Sequence, residues 1–131
     1  MTKAFSLLIT GAPTESACHA QGVRFAEAAL SSGYRIEKVF FYQAGVAIAF
    51  KDADWPVDET NWQQRWLSLA ACHGFPLEIC VAAAARRGLS ENLLAKSETN
   101  LPGQSAGFEI VGLGQLAMSM SQASSRLIHF R

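Results

Sequence analysis

The 131-residue sequence has no excess of either charge, few cysteines and no long apolar run. Eleven Lys and Arg residues balance eleven Asp and Glu residues, so no overall field attracts nucleic acid or an anionic membrane. No apolar stretch approaches the roughly 20 residues that cross a bilayer, and the N-terminal stretch lacks the long apolar core and cleavage site of an export signal. We therefore expect a soluble protein that makes no direct contact with membrane or nucleic acid.

The three cysteines, Cys18, Cys72 and Cys80, are too few and too irregularly spaced for a disulfide framework. Their odd number and the lack of a CxxC pair favour free thiols in a reducing cytoplasm. Histidines are scattered, and no pair of them with cysteines has the spacing of zinc ligands. The segment from Thr10 to Pro13 lacks the lysine of a P-loop, and no GxGxxG follows a strand. We expect neither a metal nor a nucleotide.

Apolar strands alternate with helical patterns along the whole chain, which has a length typical of one domain over residues 1–131. This order favours an α/β fold with a mainly parallel five-stranded sheet and helices on both faces. A polar loop is predicted over 97–107. The predicted strands are 4–9, 36–42, 77–81, 108–111 and 126–130, and the main helices are 16–32, 61–72, 82–85, 90–96 and 114–121.

The carboxyl ends of parallel strands gather at one edge of a sheet, where ligand sites form beside helix N-termini. Three loops meet there: residues 10–13, residues 42–45 and the turn after Cys80. Backbone N–H groups and the positive end of a helix would favour a thiolate at Cys80 and make it a nucleophile. Arg86 and Arg87 either add positive potential or cap the C-terminus of the following helix.

Each cysteine also has a purely structural interpretation. Free cysteine is among the most often buried residue types, so the residue pattern alone favours Cys80 as a small hydrophobe packed in a strand. Cys18 is interpreted as structural or incidental, and Cys72 as a core residue because it follows an apolar helical stripe. Trp62 and Trp66, four residues apart on the same helix, are also predicted to be core. A Cys-His hydrolase is not favoured, because the sequence has no Asp or Asn in a recognisable motif that would orient the histidine.

Four segments in chain order carry a family resemblance. They are Phe40-Phe41-Tyr42 with Gly45-Val46, residues 77–84 around Cys80 with Arg86-Arg87-Gly88, Gly107-Phe108, and Gly112-Leu113-Gly114. Together they resemble the DsrE/TusD family of sulfur-relay proteins, most closely its cysteine-bearing subunits. The similarity covers nearly the whole chain, and the segment around Cys80 is its most specific part.

The resemblance implies a DsrE-like fold and a sulfurtransferase that works by persulfide relay. Cys80 would accept sulfur from a TusA-like donor and pass it to a TusE-like acceptor, for 2-thiolation of the tRNA wobble uridine. No metal or organic cofactor is implied, because cysteine itself carries the sulfur. The family also implies a cytoplasmic hetero-oligomer with TusB-like and TusC-like subunits, commonly a dimer of heterotrimers. Gly11, Tyr42 and Gly45 are candidates for shaping the pocket.

Three alternatives stay open at this point. DsrE subunits of DsrEFH complexes use the same fold and cysteine in sulfur oxidation, and no feature of this sequence separates the two routes. A non-catalytic assembly subunit is the second alternative, since some family members have lost the cysteine. The third is a small-molecule binding module that uses the cleft at the carboxyl edge.

Overall fold

Five parallel strands form one sheet across residues 3–97, 107–120 and 125–131, which the computed structural model describes except for the side chains of residues 119 and 120. Every neighbouring pair is parallel, and the order is β4-β3-β2-β1-β5. The predicted α/β fold is therefore confirmed. The strands are β1 (Ala4–Ile9), β2 (Arg35–Phe41), β3 (Leu77–Cys80), β4 (Phe108–Val111) and β5 (Ser125–Phe130).

Four α-helices and two short 3₁₀ helices connect the strands within these described ranges. They are α1 (Cys18–Ser31), α2 (Trp62–His73), α3 (Val81–Arg86) and α4 (Leu113–Met120), with the 3₁₀ helices η1 (Gln43–Ala49) and η2 (Glu91–Leu93). None of the helices that the structure describes is both long enough and apolar enough to span a membrane. Residues 98–106 of the predicted loop and residue 121 of the last predicted helix lie outside the described residues.

The helix predicted over 90–96 is wrong. Only the single turn of η2 forms there, and the chain then runs extended. Leu94 forms an isolated antiparallel bridge with Phe50, and Lys96 forms another with Gly107. The apolar spacing that indicated a helix instead buries Leu94 and Ala95 through these backbone bridges, so tertiary pairing overrides a weak local preference.

The two faces of the sheet are covered by different helices. On one face, the ring of Phe41 from β2 makes edge-on contacts with Trp66 of α2 and Phe108 of β4, at centroid distances of 5.6 and 5.7 Å. On the other face, Lys38 of β2 donates a hydrogen bond to the carbonyl of Gln115 in α4. Because β3 lies between β2 and β4 under both layers, all four of its residues are buried.

The segment after β2 turns back onto the end of β1. The N–H of Tyr42 donates to the carbonyl oxygen of Ile9 at 2.9 Å, and η1 begins at the next residue. A Cβ atom at Gly45 would lie 2.3 Å from the same oxygen. Only glycine fits here, because a backbone atom at the end of a central strand has no freedom to move aside.

We predict that Gly45→Ala lowers the free energy of unfolding by about 2 kcal/mol or more, because the added methyl overlaps a backbone oxygen. Gly114→Ala is the matched control, since a Cβ atom there meets nothing within 4 Å and alanine favours the helix. Urea unfolding of both variants makes the comparison. Equal stability of the two proteins would contradict this packing.

Candidate functional site

Cys80 is the last residue of β3 and the N-cap residue of α3. The predicted strand-to-helix turn at this position is therefore confirmed. The thiol, however, is not open: Cys80 is 1% exposed and belongs to the hydrophobic core. The small residues that follow it do not open a path to the thiol in the isolated chain, because Ala83 and Ala84 are themselves buried against the core.

The other two cysteines differ from each other in burial. Cys18 is buried in the first turn of α1, and its Sγ would lie only 2.6 Å from a Cβ atom added at Gly11. This fits its structural interpretation. Cys72 is exposed, so its prediction as a core residue is wrong. Trp66 and Ala70 define the buried side of α2, and Cys72, six residues beyond Trp66, points away from it because a helix turns about 100° per residue.

The three predicted loops do meet at the carboxyl edge. Tyr42 is bonded to the end of β1, and η1 packs against both β3 and α3. Gly11 and Gly45 act by allowing close approach, Gly11 to Cys18 and Gly45 to Ile9. Neither of the two hollows beside the loop after β1 has Cys80 in its lining.

Arg86 and Arg87 lie at the far end of α3 from Cys80. Arg86 ends the helix, and Arg87 is its C-cap residue and donates from Nη1 to the carbonyl of Ala83 at 3.4 Å. Six helical residues at 1.5 Å each separate this end from the thiol by about 9 Å. The hydrogen bond of Arg87 agrees with the capping interpretation.

A charged pair lies on the same face of the sheet as the Cys80 thiol. Because side chains alternate along a strand, Glu78 and Cys80 point to the same side of β3. The ammonium of Lys38 lies 3.0 Å from Glu78 Oε1, with side chains only 12% and 8% exposed. Glu78 Oε1 has no partner in hydrogen-bond geometry, so the contact is an ion pair. Lys38 also donates to α4 at 3.4 Å.

His19 is an organising residue that the sequence reasoning missed. It is fully buried in α1, and its Nε2–H donates to the carbonyl of Gly11 at 2.9 Å. Its Nδ1 accepts a hydrogen bond from the indole of Trp66 at 3.2 Å, and its ring stacks on Phe41. The imidazole therefore ties the loop after β1 to α2 and β2. Its place on the buried stripe of α1, four residues before Val23, is the signal that would have found it.

The neutral form of His19 is required by these contacts. Nδ1 must keep its lone pair to accept from Trp66, and a second ring proton would break that bond. Burial lowers the pKa of His19 from 6.5 to about 4, although the hydrogen bond to Gly11 acts in the opposite direction.

Within the described residues, no group of three or more His, Cys, Asp or Glu side chains is arranged to hold a metal ion. The three cysteines are free thiols.

Comparison with known proteins assigns the family. The model of the DsrE/DsrF-like family matches residues 3–130. The chain belongs to this family. Sulfurtransferase TusD of Proteus mirabilis is 37% identical over 121 residues, covering 92% of this chain and 93% of that protein. Sulfurtransferase TusD of Erwinia tasmaniensis is also 37% identical, covering 96% and 98%. The predicted sulfurtransferase role is therefore confirmed at the level of sulfur transfer within the family.

Solved structures agree in fold. The ychN protein from E. coli superposes with a TM-score of 0.72 at 23% identity, over 98% of this chain and all of that one. Protein MTH1491 from Methanobacterium thermoautotrophicum, of unknown function, gives 0.69 at 13% identity, over 97% and 98%. The predicted DsrE-like fold is confirmed.

We predict that His19 makes stability depend on pH. Its folded pKa is below its unfolded pKa, so the unfolded chain binds more protons between pH 4 and 6.5. Stability should be fully present above pH 6.5 and fall by about 3 kcal/mol as the pH drops to 4. Urea unfolding across this range measures it. His19→Gln should flatten the slope in this window; an unchanged slope would contradict the assignment.

We also predict that Glu78→Gln destabilises the protein by about 3 kcal/mol, because it leaves the Lys38 ammonium without its counter-charge in a nearly buried site. Combining it with Lys38→Met should cost less than the sum of the two single changes. The control is Glu27→Gln, which removes a pair with Arg65 whose side chains are 45% exposed and should cost less than about 1 kcal/mol. Equal losses at the two pairs would contradict the prediction.

Proposed function

We propose that the protein carries sulfur as a persulfide on Cys80. It accepts the sulfur from a TusA-like donor and passes it to a TusE-like acceptor, and the sulfur ends in the 2-thiouridine of tRNA wobble positions. The observation that carries the proposal is the place of Cys80 at the end of a buried central strand, where a helix begins, in a chain about 37% identical to proteins named as TusD sulfurtransferases.

The transfer is a pair of thiol exchanges. The Cys80 thiolate attacks the outer sulfur of the donor persulfide, the donor S–S bond breaks, and the donor leaves as a thiolate. Cys80 then bears the outer sulfur. An acceptor thiolate attacks that sulfur in turn and releases the Cys80 thiolate. Neither step needs an external oxidant or reductant, because one S–S bond is exchanged for another and protons return to the displaced thiolates.

Access to Cys80 requires a local opening, since the residue is 1% exposed in the isolated chain. Its neighbour across the sheet is Val111, the last residue of β4. That strand has four residues and lies at the edge of the sheet, and Val111 is only partly buried. Short edge elements with few neighbours open at lower free energy than the centre of a sheet. We propose that β4 and the start of α3 move when a partner docks.

The partners proposed for docking are TusB-like and TusC-like subunits in a cytoplasmic hetero-oligomer, with a dimer of heterotrimers as its form. Large apolar side chains are exposed at the start of α3 and along α4: Val81 by 49%, Leu113 by 48% and Met118 by 62%. Val81 and Leu113 follow the ends of neighbouring strands β3 and β4, so they lie on the edge that holds Cys80. Exposed apolar side chains grouped in this way are typical of protein interfaces.

The assignment of sulfur to Cys80 is tested by loading the reduced protein with a persulfide donor and locating the added sulfur by mass spectrometry. We expect one extra sulfur on Cys80 and its loss in Cys80→Ser. Cys18→Ser and Cys72→Ser serve as matched controls and should still load. Capture that persists in Cys80→Ser and disappears in either control would move the site to that cysteine and contradict the proposal.

A separate experiment tests the proposed role in tRNA 2-thiolation. In a strain lacking the native gene, the wild-type chain should restore 2-thiouridine in tRNA, measured by nucleoside mass spectrometry, and Cys80→Ser should not. Restoration by Cys80→Ser would indicate a non-catalytic assembly subunit. A strain whose 2-thiouridine is unaffected by loss of the gene would contradict the tRNA route, and persulfide loading at Cys80 would then favour sulfur oxidation.

A further inference from the structure

A two-part groove runs along the loop after β1 and the segment 50–60. One part has a volume of about 400 Å³ and includes Phe50 and Asp54 in its lining, and the other has about 320 Å³ and includes Glu59. The indole of Trp55 lines both parts, as do Pro13 and Thr14. These hollows are therefore neighbours that share Trp55 as a common wall.

The lining of the groove combines apolar side chains with carboxylates. Phe50, Trp55 and Pro13 supply apolar surface, whereas Asp52 and Asp54 line the larger part. Residues 51–60 contain four carboxylates and one lysine, a formal charge of −3, in a chain whose total is zero. None of these four carboxylates forms a salt bridge within the described ranges. This surface therefore carries negative charge that the chain itself leaves unpaired.

One polar atom in the groove wall is unsatisfied. The indole Nε1 of Trp55 is shielded from solvent and has no hydrogen-bond partner among the described residues. The indole of Trp66 differs, because its N–H donates to His19. The indole N–H groups of Trp55 and Trp66 therefore lie in different environments.

We infer that this groove binds an extended, basic segment of a partner protein, with apolar side chains seated beside Trp55 and Lys or Arg side chains beside Asp52 and Asp54. The carboxylates in the lining select the charge of the occupant, and the apolar side chains contribute the contact area. An acidic segment or a nucleic acid would be repelled. The inference holds whether or not Cys80 carries sulfur.

The test uses the synthetic basic peptide acetyl-Gly-Lys-Leu-Lys-Leu-Arg-Gly-amide. A control peptide has Glu at each basic position. In the ¹⁵N-labelled protein, the three tryptophans give three indole N–H resonances. The basic peptide should shift the Trp55 resonance with a Kd below about 1 mM at low salt, and leave that of Trp66 in place. Raising the salt concentration should weaken binding. The Glu peptide should cause no shift.

Matched charge variants separate the groove from the overall charge. Asp52→Asn combined with Asp54→Asn should weaken peptide binding by about fivefold or more, as expected for two close charge pairs. Glu27→Gln combined with Glu109→Gln changes the net charge equally, but neither residue lines the groove, so binding should stay within about twofold of the wild type.

Several results would overturn the inference: no Trp55 shift with the basic peptide, equal shifts with the Glu peptide, or equal weakening by both double variants. A Trp55 resonance that moves with protein concentration alone would assign the groove to a second copy of this chain. Cys80→Ser should bind the peptide as the wild type does, so failure of the sulfur proposal and failure of this one are distinguished.

Discussion

Burial of β3 on both faces is the constraint on which the rest of the structure depends. The strand lies between β2 and β4 beneath helices on each side, and its four residues are all buried. A strand covered in this way holds Cys80 at a fixed place on the carboxyl edge, where a helix begins. The same burial closes the thiol to solvent. The same packing both positions Cys80 and closes it to solvent. A sulfur carrier built on this strand therefore needs a local movement at the edge of the sheet that leaves its centre intact.

Buried polar contacts lie on both faces of the sheet. The Lys38 and Glu78 pair occupies the face that also holds Cys80, and it links β2, β3 and α4. On the other face, neutral His19 links Gly11 to Trp66. Such buried contacts are expensive to break, because each lost partner leaves a desolvated group. They stiffen the centre of the sheet, whereas β4 at its edge has fewer restraints.

Sequence reasoning predicted the features that follow from local pattern. Alternating apolar strands and helices predicted the sheet, and the short, mostly apolar run 77–81 predicted the place of Cys80 at the carboxyl edge. Burial depends on neighbours that are distant in sequence, so the closure of Cys80, the exposure of Cys72 and the contacts of His19 did not follow from spacing. The helix prediction for 90–96 failed for a similar reason, because backbone bridges to Phe50 and Gly107 determine the conformation of this segment.

The most direct test asks whether the Cys80 thiol becomes accessible without global unfolding. The other two cysteines of the chain serve as references. Site-resolved alkylation of the native protein, read by mass spectrometry, compares exposed Cys72, buried Cys18 and Cys80. We expect Cys80 to react more slowly than Cys72 but faster than Cys18, and faster still when partner subunits are added. If Cys80 reacted only at the rate of Cys18, with or without partners, the thiol would be sealed within the sheet and could not carry sulfur.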